Sequence, residues 1–224
     1  MTLRPTIRKE RSVSSLVHRR SVLRLATGAA IIALVGSGLP ARAFAQALAA
    51  QDPAAQLVQR AADQGIEVAR TNTGAAREAG MRRVLEAYFD LDYIARQTLG
   101  NHWNQATPEQ RQRYLKVSAS SEAHAYAERF GQYTGQTLTV TRVTPRGDGV
   151  FIVDSKLTQN GGGAPVAIQW EVRNEGQGPR IVDLKTEGVS MILTRRADYV
   201  SFIRNNGGQV EALIRELEAR ARRT

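Results

Sequence analysis

The 224-residue chain has the composition of an ordinary globular protein, with 42% hydrophobic and 23% charged residues. It contains no cysteine, which excludes disulfides, thiol catalysis and sites in which cysteine ligates zinc or an iron–sulfur cluster. The net charge is +10, but eight of the 31 basic residues and one of the 21 acidic residues lie within residues 1–45. Residues 46–224 therefore carry 23 basic and 20 acidic residues, a balance that does not indicate a nucleic-acid-binding protein.

Residues 1–45 have the order of a cleavable secretory signal. A basic stretch over residues 1–24 precedes an apolar run over residues 25–39, and Ala43-Phe44-Ala45 supplies an A-x-A-like cleavage site. The apolar run is shorter than the roughly 20 residues that cross a bilayer. Cleavage is therefore favoured over the alternative, a retained membrane anchor.

The basic part of this signal is similar to the twin-arginine export motif. The pair Arg19-Arg20 is followed by Val22, Leu23 and a further basic residue, Arg24. The alternative is a general secretory signal with two adjacent arginines. Either route predicts a bacterial protein whose mature part, residues 46–224, lies in the periplasm as a single domain.

The first half of the mature part predicts helices. Helical spacing over residues 46–80 is interrupted at Gly65 and again at residues 71–74, and residues 81–99 predict two short helices. Asp90 is a candidate N-cap for the second of these. Thr107-Pro108-Glu109-Gln110 is a capping box that starts a long helix. That helix is expected to end near Phe130, and its apolar face carries Leu115, Ala119, Ala123, Tyr126, Phe130 and Tyr133.

After Gly131 the hydrophobic period changes to two. The alternation predicts strands over residues 137–143, 149–157, 166–172 and 180–187, with residues 161–163 as a hairpin loop. Two helices, over residues 194–204 and 208–221, are expected to complete the chain. The predicted fold class is α+β, an antiparallel sheet of about four to five strands covered on one face by helices.

A search for catalytic groups finds no convincing active site. His102 and His124 lie in no metal-binding or catalytic motif, and Gly188-Val189-Ser190 lacks the second glycine of a nucleophile elbow. Asp154, Glu171 and Asp183 fall on neighbouring strands, where cross-strand partners on a solvated face are the favoured interpretation. We therefore expect neither an enzyme nor a metal or cofactor site.

Three stretches, in order over residues 81–217, resemble one protein family. The first is Phe89–Arg96 with Leu99-Gly100, Trp103 and Ala106–Arg111; the second is Tyr126 with Tyr133–Gln136; the third is Val182–Leu184 with Glu187–Ser190 and Arg196. Together they resemble the MlaC family of periplasmic phospholipid-binding proteins, also called toluene-tolerance substrate-binding proteins. Two features depart from the family pattern. The long helix has small side chains around residues 118–127, where the family usually has larger apolar ones, and Thr194-Arg195 stands where an Asn-Tyr pair is common.

The resemblance implies a monomeric, soluble lipid carrier with a cone-like fold similar to that of nuclear transport factor. Such carriers hold a phospholipid by its acyl chains in an apolar cavity between sheet and helices. They pass it between an outer-membrane lipoprotein complex and an inner-membrane ABC transporter with an MCE-type subunit, and so act in outer-membrane lipid asymmetry. Three alternatives stay open: a carrier of hopanoids or other bulkier lipids, a small isomerase or hydratase on the same fold, and a structural or adaptor protein with a filled core.

The predicted lipid contacts combine the apolar sheet face with the helix residues expected to face it. Arg196 is the candidate for the rim where a head group would meet solvent, because a guanidinium suits phosphate. The predicted lipid contacts are Leu115, Ala119, Ala123, Tyr126, Phe130, Leu138, Val140, Val166, Ile168, Trp170, Val172, Tyr199 and Ile203.

Overall fold

The computed structural model describes residues 51–130, 135–174, 176 and 178–222. The predicted signal segment lies outside these residues, so it stays a prediction. The helices are α1 Pro53–Thr71, α2 Gly74–Tyr88, α3 Leu91–Leu99, α4 His102–Gln105, α5 Pro108–Phe130, α6 Met191–Asn205 and α7 Val210–Ala221. The strands are β1 Thr137–Gly147, β2 Val150–Thr158, β3 Val166–Asn174, β4 Pro179–Thr186 and β5 Val189–Ser190.

The five strands form one sheet in the order β1-β2-β3-β4-β5, with each strand antiparallel to its neighbours. Short connections make this a meander, as the alternating sequence pattern predicts. The α+β fold class is therefore confirmed. The sheet has an apolar face that α1 covers and a polar face on which Gln169 donates to Asp154.

Helix α1 runs without a break through Gly65, so the predicted interruption at this residue is wrong. A glycine inside a helix costs only about 1 kcal/mol relative to alanine, and tertiary contacts override that preference. The predicted break at residues 71–74 is correct in position, because α1 ends at Thr71 and α2 begins at Gly74. At the other end Asp52 caps α1, its side chain accepting from the Ala54 backbone N–H at 2.8 Å.

Two of the other predicted helix starts are confirmed by their hydrogen bonds, whereas α2 begins at Gly74 instead of residue 81 and α6 begins at Met191 instead of residue 194. Asp90 accepts from the Tyr93 N–H at 2.8 Å and so caps α3. Thr107 and Gln110 form the expected capping box, with side-chain-to-backbone distances of 3.1 and 3.2 Å. These bonds fix where α3 and α5 begin, and α5 is described as far as Phe130.

The turn between β4 and α6 is built by the Glu187-Gly188-Val189-Ser190 motif. Glu187 and Gly188 have φ values of 50° and 81°, the left-handed region that favours glycine. Ser190 then caps α6 by accepting from the Leu193 N–H at 3.1 Å, while its hydroxyl donates to Asp183 at 2.6 Å. The motif therefore holds α6 against β4.

Two large groups of buried side chains, and a small third group of Ala69, Met81 and Ala127, stabilise the described fold. The sheet core joins α1 to the apolar sheet face, and the helical core joins α3, α4, α5, α6 and α7 to one another. The sheet core is Ala54, Ala55, Leu57, Val58, Ala61, Leu138, Val140, Val153, Trp170, Val172, Ile181 and Leu184. The helical core is Ala95, Leu99, Ala106, Tyr114, Val117, Tyr199, Ile203, Val210, Leu213, Ile214 and Leu217.

No helix among the described residues is both long and apolar enough to cross a membrane.

Candidate functional site

A cavity of about 300 Å³ lies between the apolar sheet face and the helices α1, α2 and α5. The volume is at the lower end of the range typical of small-molecule sites. The cavity wall is made by Ala61, Ala62, Gly65, Ile66, Met81, Val84, Leu85, Phe89, Tyr126, Gln136, Leu138, Leu157, Val166, Ile168, Trp170, Leu184 and Thr186.

The wall is almost wholly apolar. Its polar side chains are Gln136, Thr186 and the polar ends of Trp170 and Tyr126. The Trp170 indole N–H donates to the buried Ser155 hydroxyl at 2.9 Å, which in turn donates to the Ile168 carbonyl at 3.0 Å. Because the indole N–H already has a hydrogen-bond acceptor within the wall, Trp170 presents a hydrocarbon surface to the cavity.

The strand register gives the cavity a direction. Leu138, Leu157 and Val166 form one cross-strand row near the end of the β2–β3 hairpin. Trp170 and Leu184 are paired two rows further along the sheet. The first row includes half-buried residues, whereas the second is buried. The cavity therefore runs along the strands from a more exposed end to a buried one.

Three small residues of α1, Ala61, Ala62 and Gly65, form part of the helical side of the cavity. Gly65 is buried and lines the cavity, and a Cβ built on it has no heavy atom within 4 Å apart from its own helix and neighbours. At Gly80 of α2 the same test places the Cβ 2.6 Å from Val68 Cγ1 of α1. Gly80 thus permits close helix packing, whereas Gly65 leaves open volume.

Five of the predicted lipid contacts line this cavity: Tyr126, Leu138, Val166, Ile168 and Trp170. The alternation in β3 is therefore correct about which face of that strand turns towards α1. Val140 and Val172 lie on the same face but in the sheet core, where they pack with Leu57 and Val58 of α1. The start of α1 covers this part of the sheet.

The predicted contacts from α6 lie elsewhere. Tyr199 and Ile203 are buried in the helical core, and Leu115 of α5 packs against the same core. The Tyr199 ring meets the Tyr114 ring edge-on at 6.2 Å between centroids. Burial, with Glu122 nearby, raises the pKa of Tyr199 to about 12, so its hydroxyl stays neutral near neutral pH.

Of the predicted lipid contacts on α5, Tyr126 lines the cavity and the two alanines do not. Ala123 is fully buried but does not line the cavity, and Ala119 is half-buried, also away from the cavity wall. One turn beyond Ala123, Ala127 packs against Ala69 and Met81, where α5 meets α1 and α2. The side chain of Phe130 lies outside the described residues.

Arg196, the predicted rim residue, is half-buried and ties α6 to α3. Its Nη2 donates to the Gln97 side-chain oxygen at 2.9 Å, and its Nε donates to the Gln97 carbonyl. It is not among the residues that line the cavity. Its proposed contact with a head group stays a prediction.

Sequence reasoning missed most of the helical wall. Ala61, Ala62 and Gly65 of α1 and Val84 and Leu85 of α2 line the cavity but were not among the predicted contacts. One signal was present, since a helix tolerates an isolated glycine such as Gly65 at a cost of about 1 kcal/mol. The sequence pattern alone did not distinguish such a glycine from a helix break.

The side chains considered above as candidate catalytic groups make hydrogen bonds and ion pairs within the fold. His124 is within 3.1 Å of Glu78 and 3.3 Å of Glu128, and Asp154 pairs with Arg142 at 2.8 Å. Asp183 accepts from Ser190 and the Ile192 N–H. Among the described residues, no group of three or more His, Cys, Asp or Glu side chains is arranged to hold a metal ion.

This chain is similar to two known proteins whose names refer to phospholipid transport or phospholipid binding. A curated relative from Haemophilus influenzae, named intermembrane phospholipid transport system binding protein MlaC, is 24% identical over 144 residues. The match covers 63% of this chain and 66% of that relative, slightly less than two thirds of its length.

A solved structure shares the fold. It is a phospholipid-binding protein from Ralstonia solanacearum in complex with a phospholipid, with a TM-score of 0.64 at 21% identity. The similarity covers 77% of this chain and 98% of that one. The family model described as MlaC protein matches residues 56–219, a range that contains nearly all of the described fold and the whole cavity wall. The chain therefore belongs to the MlaC family.

Proposed function

We propose that this protein is a periplasmic lipid carrier that holds the acyl chains of a phospholipid in the cavity beneath α1. It shuttles the lipid between an outer-membrane lipoprotein complex and an inner-membrane ABC transporter with an MCE-type subunit. The observation that carries the proposal is the apolar wall of the cavity, in a chain of the MlaC family.

The wall suits an acyl chain for energetic reasons. Each buried methylene is worth about 0.8 kcal/mol against water, so a chain of about 16 carbons represents on the order of 12 kcal/mol. A carrier in an aqueous compartment must cover that surface. The aliphatic and aromatic residues of the cavity wall supply such a cover without a charged side chain among the described lining residues.

Exchange with a membrane requires no bond chemistry. Moving a chain from the bilayer interior to an apolar cavity replaces one hydrocarbon environment by another, so the transfer is nearly neutral in free energy. The carrier must then supply an opening and a docking partner. The more exposed end of the cavity, near Leu157 and Val166, is where we place that opening.

The test is the lipid that co-purifies with the mature protein, measured by organic extraction and mass spectrometry. Gly65→Leu provides the variant, because its new side chain extends into open cavity volume and removes a glycine from a helix interior. We expect this variant to lose bound lipid while its melting temperature in the lipid-free form is kept or raised. Gln64→Leu, exposed on the same helix, is the matched control and should retain lipid.

Each outcome separates the proposal from its rivals. Stoichiometric phospholipid in the wild type that is lost in Gly65→Leu supports the carrier, and a polycyclic lipid in its place would identify the hopanoid alternative. No lipid in the wild type, together with turnover of a small substrate, would favour an isomerase or hydratase. No lipid and no turnover would favour a structural protein.

The proposed location is tested through the predicted signal. Replacing Arg19 and Arg20 with lysine should block export if the twin-arginine route is used, and fractionation of cells measures the outcome. Normal export of this double variant would contradict the route but not the periplasmic destination. Mature protein retained in the cytoplasm from the wild-type gene would contradict the destination itself.

The proposed partner is tested with lipid-loaded protein and two kinds of inner-membrane vesicle. Vesicles that contain the ABC transporter should exchange lipid with the protein faster than vesicles without it. Equal exchange rates with both would contradict the docking step and leave the binding of lipid unaffected.

A further inference from the structure

A second, smaller cavity of about 30 Å³ adjoins the buried end of the main cavity. The two cavities share four lining residues, Leu85, Phe89, Tyr126 and Leu184. These residues therefore form a partition with one cavity on each side. The smaller cavity has room for about two water-sized groups, which corresponds to a short hydrocarbon segment.

The partition has an aromatic pair at its centre. The rings of Phe89 and Tyr126 have centroids 6.4 Å apart and planes tilted by 55°. Backbone hydrogen bonds hold the chain on both sides of Phe89. The Phe89 N–H donates to the Leu85 carbonyl at 2.9 Å, and the Asp90 N–H donates to the Ile181 carbonyl at 3.0 Å. Any opening of the partition through Phe89 thus depends on its ring and not on the backbone.

The smaller cavity has apolar lining residues that the main cavity lacks. They include Leu91, Ile94 and Met191. Its polar lining residues are Thr98, Asp183 and an ion pair between Arg195 and Glu122, with Nε and Oε1 2.8 Å apart and both side chains half-buried. Each charged group in this lining has a partner, since Arg195 pairs with Glu122 and Asp183 accepts from the Ser190 hydroxyl and the Ile192 N–H.

Resting on the proposed function, we infer that the smaller cavity is a subsite for the terminal segment of an acyl chain and that the Phe89–Tyr126 partition sets the chain length the protein prefers. A chain that fills the main cavity ends against the two rings. A longer chain either leaves methylenes in water or displaces the Phe89 ring to reach the space lined by Ile94. The partition therefore acts as the floor of the lipid site.

The experiment offers lipid-free protein to vesicles made of phosphatidylglycerols whose saturated chains increase in length. Mass spectrometry then compares the bound lipids with the vesicle composition. For wild type, the bound fraction should fall about fourfold for each methylene beyond the length that fills the cavity, since that methylene loses its apolar environment. For Phe89→Ala, the fall should begin at a chain longer by about two or more methylenes, since the lost ring joins the two spaces.

Two further variants make the result specific. Phe151→Ala removes a half-buried ring that packs on the sheet core without lining either cavity, and it should keep the wild-type limit. Phe89→Ala combined with Ile94→Phe refills the smaller cavity and should restore the wild-type limit. Phe89→Leu, a smaller change, provides the same comparison if Phe89→Ala does not fold.

An unchanged chain-length limit in a folded Phe89 variant would overturn this inference alone, as would a wild type that shows no limit. Failure of the wild type to bind phosphatidylglycerol of any length would overturn the proposed function and this inference with it. A limit that shifts equally in Phe151→Ala would show that the change reflects a loosened fold and would also overturn the role of the partition.

Discussion

At the scale of single residues, the cavity wall depends on a buried hydrogen-bonded relay. Ser155 accepts from the Trp170 indole N–H and donates to the Ile168 carbonyl, and both Ser155 and Trp170 are buried. A buried donor that loses its acceptor costs about 1–3 kcal/mol. The relay therefore lets a tryptophan form part of an apolar wall without an unsatisfied polar atom.

Ser155→Ala should lower the free energy of unfolding by about 1–3 kcal/mol, because the Trp170 N–H loses its acceptor. Denaturant melts of the lipid-free protein measure the change. In a Trp170→Phe background, where no indole donor is present, the same serine substitution should cost less. An equal cost in both backgrounds would contradict the relay.

Ala123→Leu should destabilise the fold by about 1–3 kcal/mol, because the residue is fully buried and lies away from the cavity wall. Co-purified lipid per folded protein should stay at the wild-type level. Ala76→Leu, exposed on α2, is the control and should leave the melting temperature nearly unchanged. Loss of lipid with stability kept would instead place Ala123 at the site.

At the scale of secondary-structure elements, an ion-pair clamp joins α5 to α7. Arg113 donates to Glu218 at 2.9 Å and to Glu211 at 3.0 Å. These hydrogen bonds lower the pKa of both carboxyl groups from their ordinary value of 4.5. Because the clamp bridges two helices distant in sequence, it stabilises the packing of the helical core rather than either helix alone.

The sign of its pH dependence follows from the lowered pKa values. The clamp stabilises the fold above about pH 4.5 and is lost as the pH falls through the lower values of the folded state. Arg113→Ala should therefore lower the melting temperature at neutral pH by a small amount, and the difference from wild type should shrink in acid. Arg70→Gln, which removes an exposed pair within α1, is the control. A difference that grows on acidification would contradict the clamp.

The cap of α6 is a second feature at this scale. Asp183 of β4 accepts from Ser190, which caps the helix, and from the Ile192 N–H at 3.2 Å. Ser190→Ala should cost about 1 kcal/mol, as N-cap losses usually do. Thermal melts measure it, and Ser190→Thr, which keeps a hydroxyl, should restore most of the loss. No loss in the alanine variant would contradict the cap.

At the scale of the whole molecule, the cavity separates α1 from part of the sheet that it covers, and α2 and α5 complete the cavity wall. Atoms that line empty volume lack contacts on one side, so the unoccupied protein lacks stabilisation that a ligand can supply. A ligand that binds only the folded state also stabilises it by mass action. Occupancy and stability should therefore change together.

Extraction of lipid should lower the melting temperature of the wild type, and reloading with phospholipid should restore it. In Gly65→Leu, which fills part of the cavity, the loaded and extracted preparations should melt at nearly the same temperature. Equal melting temperatures for the two wild-type preparations would indicate a packed core instead of an occupied site.

Local patterns in the sequence were sufficient for the architecture. The sequence identified strands β1–β4 and the apolar faces of β1 and β3, and Asp90 and the capping box at Thr107 marked two helix starts. These features depend on neighbours in the chain, because side-chain direction repeats with the local backbone and a cap bonds to the next turn. Local chemistry therefore suffices to specify them.

Only the tertiary structure decided which buried faces enclose space. The spacing of Tyr199 and Ile203 shows that one face of α6 is buried, but the partner of that face is the helical core rather than the cavity. Gly65 looked like a helix break and instead lines the cavity from inside a continuous helix. Periodicity specifies which side of an element is buried, whereas a cavity arises from incomplete packing between elements far apart in sequence. That incomplete packing is set when α1 packs on the sheet and α2 packs on α1 and α5, so no local pattern records it.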